Sequence, residues 1–339
     1  MDQINSLEDI FLAFNGLTVL IVGDVMIDSY LWGKSTRISP EAPVPIVNVV
    51  KREKRLGGAA NVALNVQALG ATPLLCSVIG DDPDGGDFLR LLEEKGLSSE
   101  GILQSPERVT TIKHRIIASA QQLLRIDAEI ETELTEYDNR HLEERYLKLL
   151  DKADVVVLED YDKGVFSEAN IKRFIQLANE RNIPTVIDPK KKNFLSYIGC
   201  TLFKPNLKEL KEGLKVEFAD ENLHAFEDAV AELQKRLQTQ QVLVTLSERG
   251  VFIADGSERT YIDAHRRSIS DVSGAGDTVI SIAALCMALR TSKTFLAGLS
   301  NLGGGLVCEQ VGVVPINKQR LLDEAKHVKL FEMHEQRTA

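Results

Sequence analysis

Asp271-Val272-Ser273-Gly274-Ala275-Gly276-Asp277-Thr278 decides the reading of this chain. A polar approach ends in Gly-Ala-Gly, and the apolar run Val279-Ile-Ser-Ile-Ala-Ala-Leu-Cys-Met-Ala-Leu289 follows at once. That run predicts a buried helix over 276–290. The first turn of a helix carries free N–H groups and the positive end of its dipole, and small residues let an anion come close to them. Asp277 stands out in that setting, because a carboxylate beside an anion hole repels the phosphate the hole attracts. Two readings stay open from the residues alone. Asp277 is an ordinary acidic first-turn residue, or it is a general base that takes the proton of a hydroxyl attacking a phosphoryl group.

Working outward, residues 17–23 form a continuous apolar run ending in Gly23, which predicts a buried parallel strand. Asp24 and Asp28 follow it, at the strand edge where open α/β sheets bind ligands. Pro40, Pro43 and Pro45 exclude a helix over 33–56, and Ile46 to Val50 read as strand. Gly57-Gly58-Ala59-Ala60-Asn61 opens a helix that reaches Leu69. A strand over 73–80 and a helix over 84–95 come next. Residues 109–118 and 121–126 read as two strands with a tight turn near Ser119. Together with 36–55 they interrupt the α/β rhythm, and the two segments are expected to form a small sheet apart from the main one, serving as a lid or a dimer surface.

From residue 135 onward, strands near 154–159, 184–188, 201–203 and 241–246 alternate with helices over 136–150, 168–181, 206–213 and 220–238. A hairpin over 250–262 and helices over 276–290, 293–310 and 317–327 complete the chain. The expected fold is α/β, with a mostly parallel central sheet, helices on both faces and a small β lid. No repeat or linker divides the chain, so one domain over 10–330 with a tail over 331–339 is expected.

Composition narrows the function. The 339 residues are 44% hydrophobic and 27% charged, as in ordinary soluble proteins. A net charge of −10 without a long basic run argues against a general nucleic-acid binder, while leaving room for a local basic pocket that takes a phosphorylated small molecule. Cys76, Cys200, Cys286 and Cys308 form no CxxC and read as reduced core residues. The histidines show no metal spacing. With no signal-peptide core and no bilayer-length apolar run, a cytoplasmic protein with no membrane partner is expected.

Other stretches offer chemistry. Asn206-Leu-Lys-Glu209 places Asn and Glu on one helix face, where they could hold water ligands around Mg2+. Spacing alone favours a simple capping box. Thr245-Leu-Ser247-Glu-Arg-Gly250 ends a buried strand, and its hydroxyls meet a phosphate or ribose, or merely form a turn. Asp160-Tyr161-Asp162-Lys163-Gly164 and Asp188-Pro189-Lys190 put charge at the sheet's carboxyl edge. Lysines there suit a phosphate-bearing substrate, with solvated surface lysines as the default. Gly33-Lys34-Ser35 is not a P-loop, because the glycine that motif needs is Asp28, and no GxGxxG follows a strand.

Three motifs in order resemble the signatures of the ribokinase-like (PfkB) carbohydrate kinases. They are Gly57-Gly58-Ala59-Ala60-Asn61-Val62-Ala63 with Gly70 and Gly80, Asn206-x-x-Glu209, and Asp271 to Thr278. Ile282 departs from the family's small residue inside the last helix. Gly23-Asp24-Val25-Met26-Ile27-Asp28, Arg37-Ile38-Ser39-Pro40-Glu41-Ala42-Pro43-Val44-Pro45 and Gln122-Leu-Leu-Arg125-Ile-Asp127 are similar to the kinase part of bacterial ADP-heptose synthases. That subgroup phosphorylates D-glycero-β-D-manno-heptose 7-phosphate at O1. The resemblance implies Asp277 as catalytic base, with Gly274, Ala275 and Gly276 as anion hole. It implies ATP with Mg2+ organised by Asn206 and Glu209, and a nucleotide site lined by Thr245, Ser247, Gly250 and Asn301. Asp28, Gly57, Gly58 and Asn61 would hold sugar hydroxyls, and Arg37, Arg125, Lys163 and Lys190 are the candidates for the 7-phosphate. A monovalent cation such as K+ is expected near the loop led by Asp271. A homodimer through the lid is compatible with the pattern. No nucleotidyltransferase motif is found, so a separate nucleotidyltransferase is expected to act later. The rival expectations are a kinase of the same fold acting on another sugar or nucleoside, and a non-catalytic sugar or nucleotide sensor.

Overall fold

The computed structural model describes residues 6–118, 121–265 and 267–332. The first half of the chain runs α1 (Leu7–Ala13), β1 (Thr18–Gly23), β2 (Val25–Ile38), β3 (Pro45–Gly58), α2 (Ala59–Ala68), β4 (Thr72–Gly80), α3 (Pro83–Glu94), β5 (Gly101–Ser105), β6 (Ile112–Ala118), β7 (Gln121–Ala128) and α4 (Glu136–Leu150). It continues β8 (Val155–Glu159), α5 (Glu168–Glu180), β9 (Thr185–Asp188), β10 (Leu202–Phe203), α6 (Leu207–Leu214), α7 (Leu223–Leu237), β11 (Gln241–Thr245), β12 (Val251–Asp255), β13 (Glu258–Ile262), α8 (Ala275–Ala288), α9 (Lys293–Val307) and α10 (Lys318–His327).

A 9-stranded sheet carries the order β13-β12-β11-β10-β9-β8-β1-β4-β5. The strands from β11 to β5 are parallel, and β12 and β13 are added antiparallel. Alternation along the buried strands sends side chains to opposite faces. Val19, Ile21, Val155 and Val157 join the core under α1, α2, α8 and α9. Leu20, Val22, Val156 and Leu158 join the core under α4, α5, α6 and α7. Both faces are therefore covered, as expected from the continuous apolar strands, and each fully buried Val, Leu or Ile contributes about 1.5–3 kcal/mol of burial. The helix after the Gly-Ala-Gly stretch is buried without interruption from Asp277 to Cys286. All four cysteines are free and buried.

A second, 4-stranded sheet has the order β3-β2-β6-β7. This is the small sheet apart from the main one expected of the lid segments, but its first hairpin is longer than 36–55. Strands β2 and β3 pair from Val25↔Gly58 out to Ile38↔Pro45. The base of β2 is buried and its outer half exposed, so its apolar start merges in sequence with β1. Asp28 consequently sits inside a lid strand rather than in a loop after β1. The predicted strand over 109–118 begins at Ile112, and β5 was not anticipated, being too short for periodicity to reveal. The tight turn placed near Ser119 lies outside the described residues, as does the tail beyond 332. No helix among the described residues is long and apolar enough to cross a membrane.

Candidate active site

The carboxyl ends of β8, β9, β10 and β11 and the N-terminus of α8 converge on one open cleft of about 1990 Å³. That volume exceeds the usual ~300–1,000 Å³ of a single small-molecule pocket, so there is room for two reactants. Asp277, Gly274, Ala275, Gly276, Asn206, Glu209, Thr245, Ser247, Gly250, Asn301 and Lys190 all line it.

Gly274 is the N-cap of α8 and has φ 80, a left-handed conformation that costs a side-chain-bearing residue ~1–2 kcal/mol. A Cβ there would also lie 3.0 Å from the Asn61 amide nitrogen. The Ala275 amide donates to the Val272 carbonyl at 3.3 Å. Among the described residues the Gly274, Gly276 and Asp277 amides have no protein acceptor, which leaves their N–H groups open to an anion at this helix start.

Asp277 is 5% exposed. Asn61, from the first turns of α2, donates to Oδ2 at 2.6 Å, and the Tyr161 hydroxyl donates to Oδ1 at 2.7 Å. Burial pushes the carboxyl above the usual range; the bonds from Asn61 and Tyr161 pull it back, Asp188 pushes it up and Lys204 draws it down. Each oxygen keeps one lone pair for an incoming proton. The neighbourhood is crowded with charge. Lys204 and Asp188 form a 2.8 Å ion pair, Lys190 pairs with Glu209 at 2.8 Å, and among the described residues both oxygens of buried Glu159 lack a hydrogen-bond partner. Burial, Asp188 and Asp277 push the Glu159 carboxyl well above its ordinary range.

Asn206 and Glu209 form a reciprocal capping box: the Glu209 amide donates to Asn206 Oδ1 and the Asn206 amide to Glu209 Oε2, each at 2.8 Å. Lys190 takes Oε1. Among the described residues no cluster of three His, Cys, Asp or Glu side chains is arranged to hold a metal ion. This oxygen-only, already engaged pair fits Mg2+ through water, the mode that ion favours. Thr245 bridges to Asn206 across the strand ends, and Ser247 (φ 56) and Gly250 (φ 90) make the turn beneath. Asn301 donates to the Asp263 carbonyl at 2.9 Å and faces the cleft from α9.

The sugar-side candidates gather at the root of the lid. Buried Asp28 is bonded by Arg115, and a Cβ on Gly57 would collide with the Asp28 carboxylate. Gly58, with φ 59, caps α2 and leads to Asn61, which ties this region to Asp277. Asp271 accepts from the Ser273 and Gly312 amides, both at 2.9 Å; burial opposes ionisation, but these bonds win and hold its carboxyl below the usual value.

Three phosphate candidates are elsewhere. Arg37 is exposed on the outer half of β2. Arg125 sits on the exposed strand β7, paired with Asp127 at 3.0 Å. Lys163 is neutralised by Glu129 at 2.8 Å and Glu131 at 2.9 Å. None of the three lines the cleft. The sequence reading gives no role to Tyr161, Lys204 or Glu159, and marks Asp24 only by its place at the strand edge. Asp24 is 2% exposed and accepts from the amides of Tyr161 at 2.8 Å, Lys163 at 3.1 Å and Val165 at 3.1 Å, so it fixes the loop that presents Tyr161. The available signal was their shared position, directly after an apolar strand.

A family model described as pfkB family carbohydrate kinase matches residues 17–319. The bifunctional protein HldE of Syntrophotalea carbinolica is 37% identical over 329 residues, covering 96% of this chain and 66% of the relative. The bifunctional protein HldE of Helicobacter pylori is 40% identical over 277 residues, covering 81% and 59%. The chain thus spans about two thirds or less of the length of these relatives. Among solved structures, phosphofructokinase-2 from Escherichia coli in complex with potassium superposes with a TM-score of 0.76 at 19% identity, covering 91% of this chain and 99% of that one. Arabidopsis thaliana ribokinase complexed with ribose and ATP gives 0.70 at 17% identity, covering 90% and 98%. At those identities the likeness is one of fold.

Proposed function

Because this chain belongs to the pfkB family of carbohydrate kinases, an alcohol phosphotransferase family, we propose that it transfers the γ-phosphoryl of ATP to O1 of D-glycero-β-D-manno-heptose 7-phosphate. The product would be the 1,7-bisphosphate, on the way to ADP-heptose and the lipopolysaccharide core. The observation that carries the phosphotransfer reading is the Asp277 carboxylate, held between Asn61 and Tyr161 beside helix-start amides that have no acceptor among the described residues. The heptose assignment is supported by the residue 23–28 and 37–45 segments and by the 34–40% identity to the HldE proteins.

The sugar enters at the lid root, where Asp28 and Asn61 orient its hydroxyls. Asp277 takes the proton of the attacking hydroxyl, and charge on the transferring group falls on the amides of Gly274, Gly276 and Asp277. Mg2+, when bound, neutralises charge on the triphosphate, with Asn206 and Glu209 meeting its water shell. Lys190, on the cleft wall, attracts the triphosphate rather than the sugar's far phosphate. Arg115 and Arg55, whose guanidinium carbons lie 5.5 and 4.9 Å from the Tyr30 ring centroid, are our candidates for the 7-phosphate, which would compete with their present partners Asp28 and Glu53. A monovalent cation such as K+ would sit by the loop that Asp271 orders. Val50, Leu124 and Ile126, exposed on the lid strands, offer an apolar face for a homodimer. A separate nucleotidyltransferase would consume the product.

A panel assay with heptose 7-phosphate, fructose 6-phosphate, ribose and adenosine as acceptors tests the assignment. The proposal expects heptose 7-phosphate to have the highest kcat/KM. A better acceptor elsewhere in the panel would overturn the heptose reading, and magnesium-independent or absent turnover with every acceptor would overturn the kinase reading.

A further inference from the structure

The loop after β8 brings an aromatic hydroxyl to the base itself. We infer that Tyr161 is a positioning residue for Asp277, fixing the carboxylate's orientation and its basicity, and that it ties the base to the phosphate end of the cleft through Lys190. This deepens the phosphotransfer reading above and is independent of which sugar is the acceptor.

Four observations meet at Tyr161. Its hydroxyl donates to Asp277 Oδ1 at 2.7 Å, while Asn61 holds Oδ2 at 2.6 Å. A carboxylate gripped at both oxygens cannot rotate about its terminal bond, so the free lone pairs point in fixed directions. The Tyr161 backbone amide is bonded to buried Asp24 at 2.8 Å, which fixes the ring's origin. The Lys190 ammonium lies 5.3 Å from the ring centroid and bonds Glu209 at 2.8 Å. A cation over the ring face is attracted to it and makes the phenol a better donor. The contacts therefore run from Glu209 through Lys190 and the Tyr161 ring to the base. Burial, Asp277, Glu159 and Asp188 all oppose loss of the phenolic proton, so Tyr161 remains a donor across the working pH range.

The charged and titratable groups around Asp277 are Tyr161 and Glu159 from β8 and its loop, Asp188 and Lys190 from β9 and its loop, and Lys204 from β10. Asp188 and Glu159 oppose ionisation of Asp277, Lys204 favours it, and the Tyr161 bond favours it directly. Removing that bond alone therefore raises the Asp277 carboxyl further.

The test is Tyr161→Phe, which keeps the ring under Lys190 and deletes one hydroxyl. Two readouts are taken. The first is titration of the Asp277 carboxyl in the ligand-free protein by 13C NMR, with Asp277→Asn assigning the resonance. The second is the pH profile of kcat/KM with ATP and heptose 7-phosphate, or with whichever panel sugar the parent phosphorylates best. A lost charge-assisted bond predicts an upward displacement of both the titration and the acidic limb by about one pH unit. It also predicts a drop in kcat of roughly 10-fold or more from the loosened base, with KM for ATP little changed. Site-specific 3-fluorotyrosine at 161, a stronger donor of nearly the same shape, moves both readouts down and serves if the Phe variant does not fold. Failure of heptose 7-phosphate as an acceptor overturns the substrate assignment and leaves the NMR titration intact. A titration and an acidic limb that stay within experimental error of the parent in the variant overturn the role given to Tyr161.

Discussion

Lys204 and Asp188 form an ion pair of 2.8 Å in which the two side chains are 4% and 5% exposed. The pair lies at the ends of neighbouring strands β9 and β10, beside the base and under the cleft floor. Burial works against the Lys204 charge, yet Asp188, Glu209 and Glu159 hold its ammonium above the ordinary value. Removing one member of a buried pair leaves an uncompensated charge, at a cost of ~3–5 kcal/mol. Lys204→Met is expected to lower unfolding free energy by that order in urea titration. A loss under ~1 kcal/mol would show that water or rearrangement replaces the lysine.

Asp277→Asn keeps the size of the side chain and removes the proposed base. Turnover is expected to fall by about 10²–10⁴-fold, with ATP affinity retained in calorimetry. Parent-like turnover by the purified variant would end the assignment of Asp277 as base.

Glu209→Gln separates two roles that sequence spacing left entangled. Gln satisfies a capping box as Glu does, so stability should stay within about 0.5 kcal/mol of the parent. The charge that faces Lys190 and the magnesium shell is lost, so the Mg2+ concentration for half-maximal rate should rise several-fold. An unchanged magnesium dependence would reduce Glu209 to a helix cap.

Gly274→Ala forces a Cβ into a φ of 80 and to 3.0 Å from the Asn61 amide. The backbone term alone is about 1–2 kcal/mol of stability. Displacing Asn61 loosens its bond to Asp277 Oδ2, so kcat should fall as well. Thermal unfolding and steady-state rates measured together check this; an Ala variant with parent stability and rate would contradict the geometry at the N-cap.

Asp24 gives a pH signature. Burial and Asp160 push its carboxyl up to about 6, against three backbone amides that pull it down. The folded state therefore binds this proton more tightly than the unfolded chain does, whose value is near 3.8. Its contribution is fully present below that value and is lost as pH rises through about 6, by at most ~3 kcal/mol. Asp24→Asn should flatten the difference in unfolding free energy between pH 4 and 7, on top of a constant offset from the altered hydrogen bonds. A parent-like slope in the variant would assign the titration to another group.

Much of this molecule was legible in one dimension. The apolar runs that became β1, β8, β9 and β11, and the unbroken burial of α8, follow from hydrophobic content and strand or helix period, which are local properties. The Gly-Ala-Gly-Asp stretch marked the helix start and its acidic residue, but the residues alone left open whether Asp277 is a base or an ordinary first-turn carboxylate. The lid hairpin was underestimated because its buried base and exposed tip have different patterns, and only pairing with β3 shows that they are one strand. That Arg37, Arg125 and Lys163 do not line the cleft was hidden for a related reason. Charge is written in the sequence, but the carboxylates that neutralise Lys163, at positions 129 and 131, are neighbours only after β7 turns back.

What the sequence determined by itself was the layered α/β fold and the place of Asp277 at the start of a buried helix, since both rest on periodicity and on residues adjacent in the chain. The tertiary structure alone decided what grips that carboxylate. Asn61 lies 216 residues from Asp277 and Tyr161 lies 116. No local pattern encodes a hydrogen bond across such separations. Such bonds exist because α2 packs against α8 in one core and β8 ends beside the start of α8, so the first turn of α2 and the loop after β8 reach Asp277 from two sides.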